Sequence, residues 1–76
     1  MSCAQFPTKL ERIFAERVKS LREDGYRINV ASYMPNLWFV KLRHASNGNR
    51  IILRCRPSDG LIEQERNHIL CHTERV

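Results

Sequence analysis

The chain has 76 residues, enough for one domain and too few for two independent cores. Apolar residues make up 42% and charged residues 28%, which excludes a disordered polyampholyte. A net charge of +5 points to polyanionic partners, whether nucleic acid or acidic protein.

Phe6-Pro7-Thr8 opens the first helix, with Thr8 and Glu11 at capping-box spacing. Leu10, Ile13, Phe14, Val18 and Leu21 then recur at helical spacing and predict a helix over 9–23. Asp24-Gly25 ends it, glycine suiting the left-handed position after a last turn. Three alternating runs follow, at 26–33, 37–44 and 50–56, each with the period-two pattern of a two-faced strand. One face collects Tyr26, Ile28, Val30, Trp38, Val40, Leu42, Ile51, Leu53 and Cys55. The other collects Arg27, Asn29, Ala31, Tyr33, Leu37, Phe39, Lys41, Arg43, Arg50, Ile52, Arg54 and Arg56.

Met34-Pro35-Asn36 makes the first turn, pairing Tyr33 with Leu37, Val30 with Val40 and Ile28 with Leu42. Asn47-Gly48 makes the second. A tight turn there sets Lys41 opposite Arg54, whereas a four-residue loop sets Arg43 opposite Arg50 and Phe39 opposite Arg54. Either register places cations side by side, at a cost unless an anion or acidic partner is present. Pro57-Ser58-Asp59-Gly60 breaks the third strand. Leu61 to Cys71 reads as a second helix carrying Ile62, Ile69 and Leu70, with an extended tail over His68 to Thr73 as the competing assignment. The expected fold is therefore α+β: an N-terminal helix, a three-stranded antiparallel meander and a C-terminal helix, in two αβββα layers.

No acidic residue occurs from Gly25 to Ser58, whereas six of the thirteen Lys and Arg fall there. A solvated face ordinarily mixes signs. Arg27, Lys41, Arg43, Arg50, Arg54 and Arg56 are thus candidate phosphate contacts, with Phe39 and Tyr33 placed to stack on unpaired bases. The bland account is that the solvent side of a sheet must be polar, and edge cations also block edge-to-edge pairing. Leu37, Phe39 and Ile52 on the same face equally suit an acidic protein partner or a homodimer.

Cys3, Cys55 and Cys71 are an odd set without an export signal, so neither a disulfide framework nor secretion is expected, and the compartment is taken as cytoplasmic. The longest apolar run, Leu37 to Val40, is far short of the roughly 20 residues that cross a bilayer, so no membrane association is expected. Only His68 and Cys71 stand at zinc-ligand spacing, so no metal or cofactor is expected. His44, His68 and His72 are the side chains that titrate near neutrality without help, and His44, at a strand end, is the one a ribonuclease would use.

The order of elements resembles the double-stranded-RNA-binding fold and the small HicA-type toxins, and the corner Glu23-Asp24-Gly25-Tyr26 is similar to the acidic-Gly-aromatic corner of those toxins. Where such a toxin carries its catalytic histidine, this chain has Asn36-Leu37-Trp38. Leu61 to Cys71 contains only Arg66 in place of the lysine-rich second helix of the RNA-binding family. A shared arrangement does not transmit function. The leading expectation is a non-catalytic module that binds nucleic-acid backbone through the basic sheet face. A protein-binding or homodimerising module using Leu37, Phe39 and Ile52 is the alternative, and a ribonuclease the third.

Overall fold

A computed structural model describes residues 9–76, so the capping box at Thr8 lies outside the described residues. One helix, α1 (Lys9–Glu23), precedes five strands: β1 (Tyr26–Met34), β2 (Leu37–His44), β3 (Arg50–Arg56), β4 (Leu61–Arg66) and β5 (Ile69–Arg75). The strands form one antiparallel meander in the order β1-β2-β3-β4-β5. None of the described helix is long and apolar enough to cross a membrane.

The helix forms where its apolar stripe lies, with Glu11 in the first turn and Arg22 in the last complementing the dipole. Phe14, Val18 and Leu21 are buried against Val40, Leu42, Ile51, Leu53, Cys55 and Ile62. Each such side chain contributes about 1.5–3 kcal/mol. The core therefore sits between α1 and the middle three strands. Among the described residues no helix covers the opposite face of the sheet.

The expected C-terminal helix is replaced by β4 and β5. A helix over 61–71 would carry Glu65 and Arg66 between its apolar residues and bury little. As a strand, the same segment places Ile62 in the core opposite Cys55 and pairs the outer edge of β3. The αβββα arrangement, and the likeness in element order built on it, end at β3.

A two-residue turn, Asn67-His68, joins β4 to β5, and both residues have positive φ (51° and 71°) as a type I′ hairpin demands. Asn67 is suited to it and bonds Arg50 twice, its amide donating to the Arg50 carbonyl and its Oδ1 accepting from the Arg50 N–H. His68 occupies the second position, where glycine is preferred, and carries a Cβ that glycine lacks. His68→Gly is expected to stabilise the fold by about 1 kcal/mol, the lower end of the cost of a left-handed conformation. Urea unfolding should show a higher midpoint at unchanged slope, and a lower midpoint would refute the strain.

The first hairpin departs from simple alternation. Ile28 faces Leu42 as expected, but a bulge at Asn29 shifts the register, so that Val30 faces Lys41 and Tyr33 faces Trp38. Val30 leaves the helix side for the open face. Tyr33 moves the other way, its ring 6.3 Å from Phe14 in an edge-to-face contact. The turn is Pro35-Asn36, pairing Met34 with Leu37 in place of Tyr33 with Leu37. In the second hairpin the four-residue loop is adopted, with Arg43 opposite Arg50 and Phe39 opposite Arg54.

Candidate nucleic-acid interface

Pairing across three strands brings Arg27, Arg43 and Arg50 into one row on the open face. Neighbouring strands stand about 4.8 Å apart, so the row is roughly 10 Å wide. All three side chains are exposed. Lys41 lies in the next row, between Val30 and Ile52. Among the described residues no carboxylate forms an ion pair with any of these four cations. Like charges set directly opposite one another destabilise a sheet, so the row is held at a cost.

The other two candidate cations are differently placed. Arg54 is held between Glu63 (3.6 Å) and Glu65 (2.6 Å), which stand on the same face of β4. Arg56 lies 3.9 Å from Asp59. The open face is therefore divided: unopposed cations lie toward the β2–β3 loop over β1 to β3, and a neutralised strip lies over β3 and β4. The acid-free stretch is acid-free in sequence only, because β4 returns two glutamates beside Arg54. Their spacing, Glu63-Gln64-Glu65 within an alternating segment, was the signal for this.

Leu37, Phe39 and Ile52 share the open face, as the strand alternation implied. Phe39 lies between Ser32 and Arg54, and Ile52 between Lys41 and Glu65. Tyr33, by contrast, is on the helix side and cannot join a stacking surface with Phe39.

His44 is committed to structure. Its Nδ1 accepts the Ser46 N–H (3.1 Å), which leaves the proton on Nε2 to donate to the Asp24 carbonyl (2.9 Å). The ring also packs edge-on against Tyr26 at 4.8 Å. It pins the β2–β3 loop to the α1–β1 corner, and neither ring nitrogen faces open solvent unengaged. Beside this loop, Arg27, Asn29, Arg43, His44, Ser46 and Gly48 border an open depression of about 500 Å³.

Compared with family models, curated proteins and solved structures, the chain matches none. Among the described residues no three His, Cys, Asp or Glu converge as a metal site.

The two described cysteines contrast. Cys71 is exposed and donates to the Gln64 carbonyl at 3.4 Å. Cys55 is buried, and desolvation pushes its thiol from 9.0 up to about 11. Folding thus disfavours the thiolate, so this contribution to stability is complete below pH 9 and is lost as pH rises toward 11. Iodoacetamide at pH 8 is expected to alkylate Cys71 and spare Cys55 until urea is added. Peptide mapping that finds both modified in the native protein would contradict the burial.

Proposed function

We propose that this protein binds nucleic acid non-catalytically, gripping backbone phosphates with Arg27, Arg43, Arg50 and Lys41. One observation supports the reading above others: three exposed arginines stand in direct cross-strand register and, among the described residues, no carboxylate is ion-paired with them. A phosphate between two guanidiniums removes the repulsion and adds charge-assisted hydrogen bonds. Backbone contact of this kind carries no sequence information. Arg54 and Arg56 are left out of the grip because acids already stand beside them.

Salt-titrated binding of a labelled oligonucleotide tests this. Four phosphate contacts predict a log–log slope of about −3, at 0.7–0.9 per neutralised phosphate. Arg54→Ala should leave that slope nearly unchanged. A flat salt dependence, or a loss of slope with Arg54→Ala as large as with Arg43→Ala, overturns the reading. Light scattering that shows a stable homodimer without oligonucleotide binding would favour the protein-binding alternative centred on Leu37, Phe39 and Ile52.

A further inference from the structure

Resting on that reading, we infer that the ligand is single-stranded, lying across β1 to β3 with phosphates on the arginine row and bases on the apolar ground beside it. The apolar ground is the first reason. Val30 (48% exposed), Met34 (57%) and Leu37 (38%) accompany Phe39 on the open face, Val30 beside Lys41 and the Met34–Leu37 pair beyond Phe39 at the turn end of the hairpin. A protein that met only duplex backbone would have no use for exposed apolar side chains there. Unpaired bases do have one, since each offers a π-face to whatever ring or aliphatic surface lies beneath it.

The second reason is shape. A duplex major groove admits a helix or a two-stranded ribbon. Among the described residues the one helix packs on the far face, and the five strands share a single sheet, so no helix or separate two-stranded ribbon stands on this face to enter a groove. The third reason is spacing. Phe39 and Arg43 are four residues apart on β2, about 13 Å between their backbones, with Lys41 midway. Long cationic side chains reaching back from Arg43 and Lys41 can hold the phosphate of a nucleotide whose base covers Phe39. Arg54, paired with Glu63 and Glu65, then borders the track on its β4 side and offers a polyanion no free cation.

The test uses the whole chain with fluorescein-labelled oligothymidylate of about 12 nucleotides, a length within the range such surfaces cover, and a mixed-sequence duplex with the same number of phosphates. The single strand should bind at least tenfold more tightly than the duplex. Phe39→Leu keeps the apolar bulk but removes the ring. It should weaken single-strand binding at least fivefold, leave duplex binding unchanged and melt within a few degrees of the parent. Ring contacts should also quench or shift the thymine resonances in a manner lost with that variant. If duplex and single strand bind equally and Phe39→Leu changes neither, the single-strand inference falls while phosphate binding stands. If neither oligonucleotide binds at low salt, both fall together.

Discussion

Arg43→Glu is expected to weaken oligonucleotide binding about a hundredfold, which corresponds to about 2.7 kcal/mol, while raising the melting temperature. Arg43 is the middle member of the row, with Arg27 on one side and Arg50 on the other. A glutamate there removes one phosphate contact, repels the ligand and engages both neighbouring arginines. Three of four contacts are compromised, so the salt slope should fall from about −3 toward −1. Stability moves in the opposite direction, because two repulsive cross-strand pairs become attractive ones, each worth about 0.2–1 kcal/mol. In a domain this small, 1 kcal/mol is about 4–8 °C of melting temperature. Opposite changes in stability and affinity are the signature of a row kept for a ligand. Lower stability together with unchanged binding would show that the arginines serve the fold itself.

Much of this architecture was readable from local pattern. The helix and the first three strands fall on the stretches whose periodicities differ, 3.6 against 2, and whose boundaries carry Gly25, Pro35 and Asn47-Gly48. The failures share a cause, which is that long-range contact decided them. Alternation through Ile28 and Val30 looks unbroken along the chain. The bulge at Asn29 is favoured only once Phe14 offers Tyr33 and Trp38 a place to pack. Leu61 to Arg66 is equally ambiguous alone, since Glu, Gln and Arg are good helix formers. The open edge of β3, needing partners for its amides, and the glutamates flanking Arg54 made it a strand. For the same reason the candidate surface was legible in outline, as a cationic face, but its division was not. Which cations remain unopposed depends on what β4 places next to them.

Gly25→Ala is expected to cost about 2–4 kcal/mol, a large share of what a domain of this size holds in reserve. Two separate effects combine. Gly25 has φ +104°, a backbone conformation that an L-residue adopts only at a cost of about 1–2 kcal/mol or more. A Cβ at this position would also stand 2.9 Å from His44 Nε2 and 3.2 Å from Cε1, inside the ring's contact surface. Moving the ring breaks its bond to the Asp24 carbonyl and its hold on the Ser46 amide, each worth about 0.5–1.5 kcal/mol. A double-mutant cycle with His44→Ala separates the two. The double variant should be less destabilised than the sum of the singles, because the clash vanishes with the ring while the backbone strain stays. Strict additivity would mean that the ring gives way freely. Arg27 lies two residues after Gly25 and Arg43 one before His44, and the Ala45 amide donates to the Gly25 carbonyl at 3.1 Å. This corner therefore sets the end of the arginine row. If it does, hydrogen exchange of the Ala45 amide should quicken in Gly25→Ala under conditions where the core strands remain protected, and oligonucleotide affinity should fall with it.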